Sequence, residues 1–151
     1  MLIIDEYAES KLIKSLESIR LQTGLITARC IHFKTPGKAG EADKNEVARH
    51  PVIASAERYA SSANLEIYIC EDGDIFILAP DITIRNARQL ILDAAAKMQM
   101  AANDDFAVIY ELSISLHKLQ LMLEGRSQKK REVTTQQHKQ KEEEQQRRKK
   151  Q

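Results

Sequence analysis

The sequence has few of the residues that stabilise small secreted or metal-bound domains. Its two cysteines, Cys30 and Cys70, lie far apart in apolar segments, which excludes a disulfide framework and argues against a zinc site. It has no tryptophan, and no apolar run is long enough to cross a membrane. The first residues lack the basic and apolar segments of a signal peptide. We therefore expect a cytoplasmic protein with no membrane span, no metal and no cofactor.

Charge divides the chain into two unequal parts. The 151 residues, 42% of them hydrophobic, suffice for one domain with a modest core. Residues 126–151 carry a net charge of +6, whereas residues 1–125 carry −5. The only aliphatic residue of the basic segment is Val133, so this segment cannot bury a core. We expect an acidic folded body that ends at Gly125. The basic tail, disordered or a solvated helix, is suited to nucleic acid or another acidic partner.

Apolar periodicity predicts the secondary structure of the body. Helical spacing over residues 4–21 indicates an amphipathic helix in an N-terminal segment, 1–24, that ends at Gly24. Residues 25–33, 65–70, 75–78 and 106–112 are typical of strands, and 75–78 is apolar on both faces. Between them, 35–45 is predicted as a loop. One helix is predicted over 51–63 with Pro51 in its first position, and another after Asp81 as its N-cap. The core stripe of that second helix comprises Ala87, Leu90, Ile91, Ala94, Ala95 and Met98.

The order of these elements predicts the fold. Residues 25–125 read as strand, helix, strand, strand, helix, strand and a final helix, which is the ferredoxin-like βαββαβ order. We therefore expect an α+β domain with a four-stranded antiparallel sheet and flanking N- and C-terminal helices. Right-handed crossovers place the two central helices on one face of that sheet. The other face then needs a cover.

The final helix carries an apolar stripe that has two interpretations. Its residues step four, three and four positions along the chain, like the a and d positions of a coiled coil: Leu112, Leu116, Leu119 and Leu123. This interaction helix, with the N-terminal one, either pairs with a partner protein or a second copy, or packs on its own sheet. The sequence leaves both open.

The turn between the two central strands resembles a known motif. Asp72-Gly73-Asp74-Ile75-Phe76 resembles the Gly-Gly-Asp-Glu-Phe motif of the diguanylate cyclase (GGDEF) family, and Phe33-Lys34 resembles that family's Phe-Lys pair. The resemblance covers residues 25–112 and implies that Asp72, Gly73, Asp74 and Phe76 form a degenerate nucleotide-binding hairpin. An ordinary hairpin is the alternative, because Asp-Gly is a common turn pair.

The catalytic positions of that family are not matched. The resemblance assigns its two magnesium-binding carboxylates to positions that hold Arg29 and Ile75. The family's guanine-reading and product-binding positions fall on Gly37, Lys38, Ala63 and Glu66. We therefore expect no enzymatic activity and a non-catalytic signalling or protein-interaction module. The alternative is a nucleic-acid-associated protein that uses the basic tail, with Tyr68 and Phe76 as the candidate aromatics of the sheet face.

Overall fold

The computed structural model describes residues 1–21, 28–34, 50–60 and 64–127. In these ranges the strands are β1 (Leu2–Ile4), β2 (Arg29–Phe33), β3 (Glu66–Ile69), β4 (Ile75–Ala79) and β5 (Ala107–Glu111). The helices are α1 (Ala8–Leu21), α2 (Pro51–Tyr59), α3 (Ile84–Lys97) and α4, which is described over 112–127. The protein is thus α+β. None of the helices in the described ranges is long and apolar enough to span a membrane.

The strands form one mixed sheet in the order β1-β3-β4-β2-β5. β1 runs parallel to β3, and the remaining neighbours are antiparallel. All five residues of β4 are buried, which confirms that this apolar strand is covered on both faces. The register of β2 against β4 places Phe33 opposite Ile75 and Arg29 opposite Ala79.

Helices α2 and α3 cover the first face of the sheet. Leu65, Ile67 and Ile69 contribute to this core, as their alternation predicts. The predicted stripe of α3 is buried there except for Met98, which is partly buried. Pro51 occupies the first turn of α2, and the Nδ1 atom of His50 accepts a hydrogen bond from the Val52 amide at 3.2 Å. That contact satisfies one of the free amides at the helix start.

Helices α1 and α4 cover the second face of the sheet. Leu12 and Leu16 of α1 pack with Leu119 and Leu123 of α4 over the central strands. Polar contacts join the two helices at both ends: Gln120 Nε2 donates to Glu17 Oε1 at 2.9 Å, and the hydroxyls of Ser10 and Ser127 lie 3.4 Å apart. Because the contacting residues run in opposite order, the two helices are antiparallel.

The structure corrects the beginning of the chain and one helix cap. The N-terminal helix begins at Ala8, not at residue 4, because residues 2–4 pair as β1 with β3; the Leu2 amide donates to the Leu65 carbonyl at 2.9 Å. Helix α3 is capped by Thr83, not by Asp81, and Thr83 Oγ1 accepts from the Asn86 amide at 3.1 Å. The predicted helix end at Gly24, the loop over 35–45 and residues 61–63 of the second helix lie outside the described residues.

The apolar stripe of α4 belongs to the chain's own core. Leu112, Leu119 and Leu123 are buried and Leu116 is partly buried, all in the second core. The stripe therefore packs on the chain's own sheet, which is the second of the two interpretations. The structure does not leave these leucines for contact with a partner protein. Tyr68 and Phe76 are also fully buried in this core. The nucleic-acid alternative named these two residues as candidate aromatics of the sheet face, and their burial leaves neither exposed on that face.

Two neighbouring leucines of α4 test this assignment. Leu119 is fully buried, whereas 55% of Leu121 is exposed. We expect Leu119→Ala to lower the free energy of unfolding by about 2–5 kcal/mol, because it leaves a cavity in the second core. The matched control Leu121→Ala should change it by less than about 0.5 kcal/mol. Urea unfolding of both variants measures the difference, and equal effects would contradict the assignment.

Candidate functional site

The hairpin between β3 and β4 closes with a tight turn. The Gly73 amide donates to the Cys70 carbonyl at 3.0 Å, and the Cys70 amide donates to the Asp74 carbonyl at 2.9 Å. Asp72 Oδ1 accepts from the Asp74 amide at 3.1 Å. Gly73 has a φ of 94°, a conformation that glycine adopts at little cost. The hydrogen bonds of the turn therefore fix the positions of Asp72 and Asp74.

Arg126, near the described end of α4, binds three carboxylates. Its Nη2 atom lies 2.7 Å from Asp72 Oδ2 and 3.5 Å from Glu9 Oε1, and its Nη1 atom lies 3.1 Å from Asp74 Oδ2. Hydrogen bonds from a guanidinium to carboxylates are among the strongest in proteins. This residue was assigned to the basic tail by charge alone, but the helix continues through it. Arg126 therefore joins the end of α4 to α1 and to the hairpin.

Asp74 is also bound from the sheet. His32 Nε2 donates to Asp74 Oδ2 at 2.8 Å. The imidazole ring stacks on Phe76, with 4.1 Å between ring centroids and 11° between planes, as the β2–β4 register permits. The guanidinium carbon of Arg126 lies 5.6 Å from the centroid of the same Phe76 ring, within cation–π range. Phe76 thus contacts both His32 and Arg126. We call Glu9, His32, Asp72, Asp74, Phe76 and Arg126 the hairpin cluster.

The hairpin cluster is shielded from water except at Asp72, whose side chain is 51% exposed. The side chain of Glu9 is 4% exposed and that of Asp74 is 16% exposed. Burial alone would raise the pKa of Asp74, but the hydrogen bond from His32 and the charge of Arg126 outweigh it, so that this pKa lies below its usual value. Two buried nitrogens, His32 Nδ1 and Arg126 Nε, have no hydrogen-bond partner among the described residues. The cluster is therefore an ionic site in which the carboxylates are paired while one guanidinium donor is left over.

The neighbouring thiols are poor nucleophiles. Burial raises the pKa of both Cys30 and Cys70 far above its ordinary range, and for Cys70 the charge of Glu9 adds to that effect. A thiol held protonated does not react as a thiolate. In the described part of the chain, no group of three or more His, Cys, Asp or Glu residues has the arrangement of a metal site.

The structure brings together only some of the residues that the resemblance to the diguanylate cyclase family selects. Asp72, Gly73, Asp74 and Phe76 share the hairpin, but Arg29 and Ile75 do not lie near each other. The register separates them by four residues along β2, roughly 13 Å at the usual strand rise. Arg29 Nη1 instead donates to the Ile82 carbonyl, and its Nη2 pairs with Glu111 at 3.6 Å. Ile75 is fully buried in the first core. Gly37, Lys38 and Ala63 lie outside the described residues.

Three members of the hairpin cluster were missed by sequence reasoning. Glu9 lies next to Ala8 in the predicted helix. A carboxylate beside an apolar stripe is partly buried and needs a cation as partner, so the sequence contains a signal for this residue. His32 lies inside the predicted strand 25–33, where no neighbouring residue marks it as part of a site. Arg126 follows Gly125, which signals a helix end. No local pattern connects these three residues, because the tertiary fold brings them together.

A second feature is a cleft of about 660 Å³ at the β5 edge of the sheet. It runs along the outer side of β5, between α3 and the first turn of α4. Leu92 and Ile114 line it and are 52% and 79% exposed. Arg88, Asp104 and Glu111 supply its charged groups. The cleft therefore combines an apolar floor with charges of both signs.

Comparison with protein-family models, with curated proteins and with solved structures finds no match to this chain.

The low pKa of Asp74 predicts a specific dependence of stability on pH. Because the folded pKa lies below the ordinary value, Asp74 contributes full stability above about pH 4 and loses it as the pH falls through the folded pKa. We expect the free energy of unfolding of the wild type to fall more steeply toward about pH 2 than that of Asp74→Asn. Urea unfolding at a series of pH values measures both slopes. Parallel curves would contradict the pairing.

Proposed function

We propose that this protein is a non-catalytic signalling or protein-interaction module whose partner adds an extended segment to the outer edge of β5. We further propose that its core is ferredoxin-like and similar to a degenerate diguanylate cyclase domain. The observation that carries the interaction proposal is the outer edge of β5, which no described strand pairs with, beside an apolar cleft.

Topology supports the proposed ferredoxin-like core. The four strands β3-β4-β2-β5 are antiparallel neighbours, and in chain order they combine with α2 and α3 as βαββαβ. Both of these helices pack on the first face. β1, α1 and α4 are additions to that core, and they cover one edge and the second face.

The contacts of the hairpin cluster support a non-catalytic role. Phosphoryl transfer by a cyclase requires carboxylates that hold Mg²⁺ against the triphosphate. Asp72 and Asp74 are instead engaged by Arg126, a cation supplied by the chain itself. The two positions that the resemblance assigns to metal ligands hold a paired arginine and a core isoleucine, at different ends of the β2–β4 pair. A single substitution would not restore a metal site.

The hydrogen-bond pattern of β5 identifies which backbone groups face outward. The Lys34 amide donates to the Phe106 carbonyl, and the Leu112 amide donates to the Ala28 carbonyl. Even-numbered residues of the strand therefore face β2, and odd-numbered ones face the open edge. Of the outward amides, that of Ala107 donates to the Asn103 carbonyl. Those of Ile109 and Glu111 have no partner in the described part of the chain.

An edge of this kind suits β-strand addition. An extended peptide forms main-chain hydrogen bonds with such an edge, and an adjoining pocket selects its side chains. Sheet edges that avoid pairing carry proline, lysine or a bulge, and β5, with the sequence Ala-Val-Ile-Tyr-Glu, has none of these. Exposed Leu92 and Ile114 beside it favour a partner with apolar side chains.

Selection of peptides from a random displayed library tests the proposed surface. We expect binders of extended conformation that protect the Ile109 and Glu111 amides from hydrogen exchange. Ile109→Pro removes an outward donor without removing a bond to β2, so it should weaken binding by about tenfold or more. The matched control Leu2→Lys, at the β1 edge, should leave binding unchanged.

Other outcomes would overturn parts of the proposal. Binders that protect a different surface, or that bind Ile109→Pro equally well, would exclude the β5 edge. A doubling of the solution mass that Ile109→Pro abolishes would identify a second copy as the occupant. Formation of a cyclic dinucleotide from GTP with Mg²⁺ or Mn²⁺ would contradict the non-catalytic role.

A further inference from the structure

We propose that Glu9, Asp72, Asp74 and Phe76 form a binding site for an arginine side chain, which the chain fills with its own Arg126. The end of α4 is then a ligand held in cis, and an arginine supplied in trans can replace it. This site lies on the hairpin and the second face of the sheet, so the inference does not depend on the proposed function of the β5 edge.

The contacts of the site suit the planar fork of a guanidinium better than a compact ammonium. The two terminal nitrogens of Arg126 reach separate carboxylates, Nη1 on Asp74 and Nη2 on Asp72. The planar group also lies over the Phe76 ring. Arginine presents a rigid fork of donors and stacks on aromatic rings, whereas lysine presents one compact, strongly hydrated charge. The geometry therefore selects arginine over lysine.

The site is built independently of its occupant. The turn hydrogen bonds position Asp72, and His32 holds Asp74 from the sheet. Phe76 is fully buried in a central strand and is stacked on His32. None of these contacts includes Arg126. Three carboxylates around one guanidinium also leave a surplus of negative charge, which attracts a cation into the empty site.

Arg126 lies in a part of α4 that makes few other described contacts. Leu123 is the last residue of this helix in the second core. Beyond it, a side chain at Gly125 would meet no atom within 4 Å, and Ser127 makes a hydroxyl contact at 3.4 Å with Ser10. Helix ends open more readily than their middles. Among the described residues, Arg126 therefore supplies most of the contacts that retain this last turn.

Chemical rescue of Arg126→Ala tests the site. We expect this substitution to lower Tm, and methylguanidinium at millimolar concentration to raise it again along a saturable curve. At about ten times the dissociation constant the rise should be roughly 3–6 °C. Methylammonium at the same ionic strength should give no such rise. The wild type, whose site is filled, should not respond to either compound.

The double variant Asp72→Asn/Arg126→Ala controls for non-specific salt effects, and it should not be rescued. The capped tripeptide Gly-Arg-Ser, which has the sequence of residues 125–127, should rescue Arg126→Ala, and Gly-Lys-Ser should not. If Arg126→Ala is unfolded alone, recovery of its circular dichroism with methylguanidinium is the readout.

Four results would overturn the proposal. The first is an Arg126→Ala variant as stable as the wild type. The second is equal stabilisation by methylammonium and methylguanidinium. The third is a response of the double variant as large as that of Arg126→Ala. The fourth is no response of Arg126→Ala to any of the compounds.

Discussion

The ion pairs of Arg126 are the interaction on which the second face of the protein depends. Glu9 is almost fully buried, and Arg126 is the cation beside it. Removing one partner of a buried pair leaves an uncompensated charge, which typically costs about 3–5 kcal/mol. The same guanidinium reaches the two aspartates of the hairpin. One side chain thus links α4, α1 and the β3–β4 turn, three elements that are distant in sequence.

This arrangement follows from a constraint of the sheet itself. α2 and α3 cover only its first face, and an apolar central strand such as β4 must be covered on both. The terminal helices provide the second cover with leucines that would otherwise resemble a coiled-coil seam. With both faces closed, the outer edges of β1 and β5 are the parts of the sheet that no other described strand pairs with. The hairpin cluster and these edges are therefore consequences of the same layered architecture.

Local patterns predicted the elements of the core, and tertiary contacts determined the rest. The stripe of α3 and the alternation of β3 depend on neighbouring residues, so periodicity was enough to find them. β1 was missed because three apolar residues before a helix continue the helical pattern. The hairpin was correctly placed, but its partners were not, since Glu9 and Arg126 meet only through antiparallel packing of α1 and α4. Charge counting likewise put Arg126 with the tail, because Gly125 is a typical helix end.

A comparison of two shortened chains tests the role of Arg126 most directly. A chain that ends at Ser127 retains every described contact of α4, whereas one that ends at Gly125 loses the ion pairs to Glu9, Asp72 and Asp74. We predict that the first keeps the Tm of the full chain and that the second melts lower by about 5 °C or more. Equal Tm values for the two shortened chains would contradict the account.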